Sequence, residues 1–214
     1  MTARKFLEIG GIVAGVILIA FGVGALVMSV NAHNTVGNEL TQQKIVGSPD
    51  MNPTDIQAAM TEAKITGVVP VPSCNVADKA IESGSDARCF AQYMQIHALE
   101  ASGGLMYAEM GRYLAKADPS SPKGTSDEAA ALKDDKGQPV ANGFRNTWVT
   151  ETALSTALNV SYMAGQIALF GVVVGIALLL SGVGFLILAI AVLGSTAVAK
   201  EAKRTAATAT PATS

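Results

Sequence analysis

Two long uncharged apolar segments lie near the two ends of the 214-residue chain, Ile9 to Val30 and Ile167 to Leu193. As α-helices rising 1.5 Å per residue they would be roughly 33 Å and 40 Å long, enough to cross a hydrocarbon core of about 30 Å. A helix in a soluble core can also be apolar, but more than about 18 residues without an ionisable group is uncommon there. The pattern predicts transmembrane helices over residues 9–31 and 164–195.

Basic residues flank the two apolar segments on the sides that face the chain ends. Arg4 and Lys5 precede the first segment, and three cations follow the second: Lys200, Lys203 and Arg204. No Lys or Arg lies within residues 31–43 or 146–166. Because Lys and Arg close to a span resist translocation, residues 1–8 and 196–214 are expected in the cytoplasm, the latter as a disordered tail. Residues 32–163 are then expected outside the plasma membrane.

A cleaved signal peptide is the alternative interpretation of the first segment. Arg4 and Lys5 would form its basic region, and Val30-Asn31-Ala32 would suit a signal peptidase. The apolar part of a signal peptide normally has about 7–15 residues, whereas this segment is longer. We therefore favour a retained anchor, and cleavage would leave a single-span protein with the same outer domain.

The central segment has the periodicity of helices. Asn52-Pro53 is typical of a helix start, and apolar residues at i, i+3, i+4 and i+7 predict a helix up to Gly67. Asp86 is expected to cap a longer helix to about Ala117, with a flexible point at Gly103-Gly104. Shorter helices are expected over residues 76–82 and 125–133, the second from the capping-box spacing of residues 125–128.

The helices of the two spans are expected to extend into this central segment. A final helix starting near Asn146 meets no breaker before the second span, and the first span is expected to continue toward Val46. Only residues 68–71 are rich in β-branched side chains, and the prolines at 70 and 72 oppose a strand there. The predicted fold class is an all-α membrane protein with two transmembrane helices and an extracytoplasmic helical bundle between them.

Cys74 and Cys89 are the only cysteines, and both fall in the segment expected outside the cell. Thiols tend to be oxidised there, so we expect a disulfide that closes a loop of about 15 residues. A metal pair would need further ligands nearby, and a redox motif would prefer Cys-x-x-Cys spacing.

Each span carries small residues along one helical face. In the first they are Gly11, Gly15, Gly22, Ala25 and Ser29, and in the second Ala168, Gly171, Gly175, Gly182 and Ala189. Small residues let helix backbones approach closely in lipid, although glycine is frequent in membrane helices in general. We expect these faces to pack on each other or on the helix of a partner.

The distribution of charge and of reactive side chains argues against several function classes. Neither span contains an ionisable residue of the kind that marks ion paths, so a pump, transporter or channel acting alone is disfavoured. Residues 32–163 hold ten basic and fifteen acidic side chains, which disfavours nucleic-acid binding. His97 and Glu100 could offer two metal ligands, but no third is evident, and His33 lies beside the membrane. We predict no catalytic residues, metal or cofactor.

In layout, the chain resembles the uncharacterised two-span membrane proteins of high-GC Gram-positive bacteria. The features that carry the resemblance are the basic pair Arg4-Lys5, the two spans, the two cysteines, the basic residues 200–204 and the Ala/Thr/Pro-rich end. Some such proteins bear an aromatic ring-opening dioxygenase label, which implies iron held by two histidines and a carboxylate. We reject that activity because the only histidines are one at the membrane surface and one on a packing face.

Three functions fit these features. The first is a non-enzymatic accessory or scaffold subunit, bound to the lipid bilayer and to other membrane proteins or to itself through its small-residue faces and outer bundle. The second is an extracytoplasmic sensor or ligand-binding module, in which aromatic and methionine side chains could line a pocket, although such residues more often form a core. The third is a membrane-anchored enzyme, for which no converging acid, base and nucleophile is recognisable.

Overall fold

A computed structural model of the protein describes residues 3–194 and consists of helices and connecting segments. The α-helices are α1 (Ala3–Gln43), α2 (Pro53–Glu62), α3 (Gly84–Ala101) and α4 (Phe144–Ile187). A short 3-10 helix covers Tyr107–Glu109 and a π-helical segment covers Leu188–Gly194. No strand is formed within the described residues, where β pairing is limited to isolated bridges. The prediction of an all-helical fold is confirmed.

Helices α1 and α4 are long and apolar enough to cross a membrane. Both extend beyond the apolar segments as the sequence indicated, α1 to Gln43 and α4 without a break from Phe144. Within the described residues the chain divides into two compact units, one formed by residues 3–33 together with 166–194, the other by Asn34–Gly165. We refer to them as the apolar unit and the central unit. The basic residues Lys200, Lys203 and Arg204 lie outside the described residues.

Side-chain caps set the starts of α2 and α3 in the central unit. Asn52 Oδ1 accepts hydrogen bonds from the amides of Thr54 and Asp55, as the Asn-Pro signal predicted. For α3 the predicted cap is wrong, because the N-cap is Ser83. Its Oγ accepts from the Asp86 amide at 3.2 Å and donates to the Asp86 carboxylate at 2.6 Å. Asp86 therefore lies in the first turn, where its charge favours the helix N-terminus.

The helix predicted over residues 76–82 does not form. Instead, the segment makes bridges to the chain that follows α1, at Val46 with Ala80 and at Gly47 with Ala77. Asp78 has a φ of 55°, which is outside the helical region. Backbone hydrogen bonds across sequence distance therefore replace those within a helical turn, and local periodicity does not reveal them.

The helix predicted from Asp86 to about Ala117 ends early, and the one predicted over residues 125–133 is absent. Helix α3 ends at Ala101 because Gly103 and Gly104 adopt φ values of +62° and +82°. Residues 111–142 are held by paired backbone hydrogen bonds, such as Tyr113 N to Thr125 O at 2.9 Å and Leu132 N to Leu114 O at 2.8 Å. The central segment is thus less helical than its sequence pattern predicts.

One buried amide side chain fixes this irregular segment where it meets α4. Asn142 is 2% exposed and donates from Nδ2 to the carbonyl oxygens of Gly111 and Pro122 at 3.0 and 2.8 Å. Its Oδ1 accepts from the Phe144 amide at the first residue of α4. A single side chain therefore links three chain segments, and α4 begins two residues before the predicted Asn146.

The core of the central unit lies mainly along α3. The largest fully buried side chains of this core come from α3 and from the segments packed against it: Tyr93, Ile56, Met60, Ile65, Ile81, Ile96, Leu99 and Val76. Tyr93 donates its hydroxyl to the Cys74 carbonyl at 2.6 Å, and desolvation by burial raises the pKa of this phenol. Cys74 and Cys89 form a disulfide with a Cα–Cα distance of 6.1 Å. The disulfide and the tyrosine hydrogen bond together attach the proline-rich connection to α3.

Candidate functional site

Within the apolar unit, α1 and α4 approach each other through glycines. A β-carbon built on Gly15 would lie 2.8 Å from the carbonyl oxygen of Gly182, and one built on Gly22 would lie 2.9 Å from that of Gly175. Near one end of the contact, a β-carbon on Gly11 would lie 3.0 Å from Ala189 Cβ. Real β-carbons essentially never lie closer than 3.0 Å to another heavy atom, so Gly15 and Gly22 exclude larger side chains unless the helices shift.

The six glycines that the sequence indicated as packing positions therefore all lie where α1 and α4 meet. The sixth, Gly171, faces the hydroxyl of Ser29, which donates to the Ala25 carbonyl at 2.7 Å. Three other glycines, Gly10, Gly24 and Gly184, have open space around them. The two small-residue faces are consequently used against each other, and the glycines left open lie on other sides of the same helices.

A groove in the central unit runs along α3 and α4. We call it the Trp148 groove, and its volume is about 490 Å³. Its lining side chains include Gln92, Gln95, Trp148, Glu151, Ser155 and Asn159. This volume is in the range of small-molecule sites, which combine a hydrophobic wall with a few convergent polar groups.

Glu151 is the only charged side chain that lines the Trp148 groove. It is 6% exposed, and its two oxygens accept hydrogen bonds from neighbouring hydroxyls of α4, Ser155 at 2.6 Å and Thr152 at 3.3 Å. No Lys, Arg or His among the described residues lies within 4.0 Å of it. An acidic side chain that is almost fully buried without a basic partner is unusual in proteins, and this makes Glu151 a candidate for ligand contact.

Trp148 forms a fixed wall of this groove. Its indole Nε1 donates to Ser102 Oγ at 3.1 Å and to the Leu105 carbonyl at 2.9 Å. Ser102 is fully buried and donates in turn to the same Leu105 carbonyl at 2.6 Å. The end of α3 thus sets the position of the indole, which is the only tryptophan in the chain.

A second groove of about 440 Å³ also includes Glu151, together with His97 and Asn146. We call it the His97 groove. His97 Nδ1 lies 3.2 Å from Glu100 Oε2, and its Nε2 lies 3.6 Å from Asp50 Oδ2. That Nε2 is buried without a hydrogen-bond partner. The structure thus adds Asp50 to the His97 and Glu100 pair that the sequence suggested.

Metal-binding geometry is not found among the described residues. No group of three or more His, Cys, Asp or Glu side chains between residues 3 and 194 could hold a metal ion. His33 lies in α1, in the other unit, and is exposed.

Sequence reasoning did not single out Glu151, although a signal was present. The residue lies three positions after Trp148 and seven before Leu158, so it falls on the same face of the helix as these two apolar side chains. A lone carboxylate at a core-facing helical position is the pattern that could have identified it.

No protein family, curated protein or solved structure matches this chain. The resemblance in layout to the two-span proteins of high-GC Gram-positive bacteria stays a prediction.

Proposed function

We propose that this protein is a membrane-anchored, non-enzymatic binding module whose central unit holds a small ligand in the Trp148 groove. The observation that carries the proposal is Glu151, an acidic side chain that is 6% exposed, without a basic partner, in a groove of ligand-sized volume. The rigid Trp148 wall supports it, because a preorganised site loses less entropy when a ligand binds.

We also propose that the central unit faces the extracytoplasmic side, with both termini in the cytoplasm. The flanking cations Arg4, Lys5, Lys200, Lys203 and Arg204 favour this orientation. The disulfide is consistent with an oxidising compartment. Retention of the first span is supported by the length of its apolar segment, Ile9 to Val30, which exceeds the roughly 7–15 residues of the apolar part of a signal peptide.

Filling the groove tests the proposed binding function without any assumption about the ligand. Thr156 is exposed and lines the Trp148 groove, so Thr156→Trp should occupy it without disturbing the core. We expect native mass spectrometry of the protein, purified in mild detergent, to show a bound small molecule that this variant lacks. Val149→Trp is the matched control, since Val149 is 56% exposed on α4 and lines neither groove. Equal ligand loads on both variants, or none on the unmodified protein, would contradict the proposal.

An accessory subunit is the second candidate function, and an open surface on α1 favours it. Phe6, Ile9, Gly10, Val13, Ala14 and Ile17 line a groove of about 500 Å³ in the apolar unit. Gly10 and Ala14 are four residues apart, a spacing that allows close approach of another membrane helix. The small-residue contact between α1 and α4 does not use Gly10, which has nothing within 4 Å of a built β-carbon.

Gly10→Leu tests this second candidate. The leucine should fill the groove and block a partner helix, so we expect a high-mass species on blue-native electrophoresis of the unmodified protein to be lost. Gly24→Leu adds the same side chain at another open position of α1 and should leave that species intact. A protein that migrates only as a monomer before any substitution would count against the accessory role.

A further inference from the structure

We propose that the Trp148 groove binds a small organic cation with a primary ammonium group, and that Glu151 is its counter-ion. This inference rests on the proposed binding function and adds the chemical class of the ligand. Three features of the described residues favour this ligand: the charges around the groove, the unused hydrogen-bonding capacity of its side chains, and the lack of a set of metal ligands.

The charge balance of the surrounding elements favours a cation. The basic side chains of α3 and of the described part of α4 contact aromatic rings instead of Glu151, because Arg88 lies 4.6 Å above the Tyr162 ring and Arg145 lies 4.1 Å above that of Tyr107. His97 lies beside the carboxylates of Glu100 and Asp50. Glu151 therefore has no basic side chain within 4.0 Å in the described structure, and an anionic ligand would add repulsion.

Hydrogen-bonding groups in the groove suit an ammonium. A carboxylate has about four acceptor positions, and the hydroxyls of Thr152 and Ser155 occupy only two of those on Glu151. Asn159 donates its amide nitrogen to the Ser155 carbonyl at 2.8 Å, which leaves its amide oxygen available to a ligand. Gln92 and Gln95 add two further amide groups to the lining. An ammonium has three donors and no acceptor, which matches a site rich in acceptors.

A bare metal ion fits the groove less well than an organic cation. Calcium takes six to eight oxygen ligands and zinc usually takes four nitrogen or sulfur ligands, whereas the groove offers one carboxylate. An organic cation also gains from the indole of Trp148, since aromatic walls attract cations and bury their carbon atoms. The groove volume of about 490 Å³ exceeds what a single ion requires.

The fluorescence of Trp148 provides a direct test on the full chain in detergent. We would titrate the protein with putrescine and ethanolamine as primary ammonium probes, with 1-propanol as a neutral probe and acetate as an anionic one. The expected result is a saturable change in emission with the two ammonium probes only. Because Trp148 is the only tryptophan, the signal reports on this groove.

Substitutions then test whether the carboxylate of Glu151 binds the ammonium group. Glu151→Gln keeps the shape of the side chain and should weaken binding at least tenfold, whereas Glu62→Gln, at an exposed carboxylate of α2, should leave it unchanged. Gln95→Lys should place an ammonium of the protein's own in the groove and abolish binding. It serves as the second variant if Glu151→Gln fails to fold.

The outcomes separate this inference from the proposed function. Binding of 1-propanol or acetate that survives Glu151→Gln would overturn the cation assignment and leave the binding module intact. A flat response to all four probes, together with equal ligand loads in the groove-filling experiment, would overturn both. Ammonium binding that is unchanged in Glu151→Gln and in Gln95→Lys would overturn the role of Glu151.

Discussion

Substituting Gly22 and Gly182 by valine should separate α1 from α4, whereas the same substitutions two residues further along each helix should not. Built β-carbons at these two positions lie 2.9 Å and 2.8 Å from backbone carbonyl oxygens of the opposite helix, so the helices must move apart. Overpacking of this kind costs about 1–3 kcal/mol per site, and the two sites together should weaken pairing by roughly 30-fold or more.

The matched control is the Gly24→Val and Gly184→Val pair, because both glycines have open space around them. It adds the same two side chains to the same two helices and has the same effect on helix propensity, so only the contact differs between the variants.

An engineered cysteine pair would measure the contact. Gly11→Cys and Ala189→Cys place two thiols where the built β-carbon on Gly11 lies 3.0 Å from Ala189 Cβ. After oxidation and cleavage at a protease site inserted in the exposed loop around residue 120, crosslinked halves stay together on a non-reducing gel. We expect efficient crosslinking in the control pair and little in the Gly22→Val and Gly182→Val pair. Equal crosslinking in both would show that the glycines do not hold the helices together.

Replacing both cysteines by serine should lower the free energy of unfolding of the central unit by about 3 kcal/mol. The disulfide joins residues 15 apart in the sequence, and opening a loop of this length restores conformational freedom mainly to the unfolded chain. Such a loss is large against the 5–15 kcal/mol that typically stabilises a domain. Urea titration followed by the emission of Trp148 would measure it.

The control for this prediction is the Ser73→Ala and Ser85→Ala pair, since both serines are exposed and lie close to the cysteines in sequence. A reductant should destabilise the unmodified protein by the same amount and leave the double-serine variant unaffected. Equal stability of the double-serine variant and the unmodified protein would contradict the prediction.

The same thiols report on the proposed orientation. In intact spheroplasts, a membrane-impermeant maleimide should label Cys74 and Cys89 only after an impermeant reductant has been added. Labelling that needs no reductant would oppose an oxidised pair, and labelling only after lysis would oppose an extracytoplasmic location.

The parts of the fold that the sequence predicted are those fixed by local interactions. The two apolar helices follow from the length of their segments, and α2 follows from the Asn52 cap and its apolar periodicity. In these elements, each hydrogen bond joins residues a few positions apart, so a short window of sequence contains the relevant information.

The predictions failed where backbone groups pair over longer distances. The expected helix over residues 125–133 gives way to hydrogen bonds from Leu132 to Leu114 and from Lys116 to Ala130. The capping-box spacing of residues 125–128 concerns a single helical turn, so it carries no information about hydrogen-bond partners elsewhere in the chain. Glu151 was missed for a related reason, since its burial depends on α3, which lies far away in sequence.

The contacts between α1 and α4 repeat every seven residues along both helices, at Gly15, Gly22 and Ser29 in one and at Gly175, Gly182 and Ala189 in the other. A seven-residue repeat is slightly shorter than two turns of a straight α-helix, so it is kept in register only when the helices coil around each other in a left-handed sense. An insertion of one residue in either helix would turn the glycines beyond it by about 100° away from their partners, whereas an insertion of seven would restore the match. The contact between α1 and α4 is therefore expected to tolerate insertions only in multiples of seven residues.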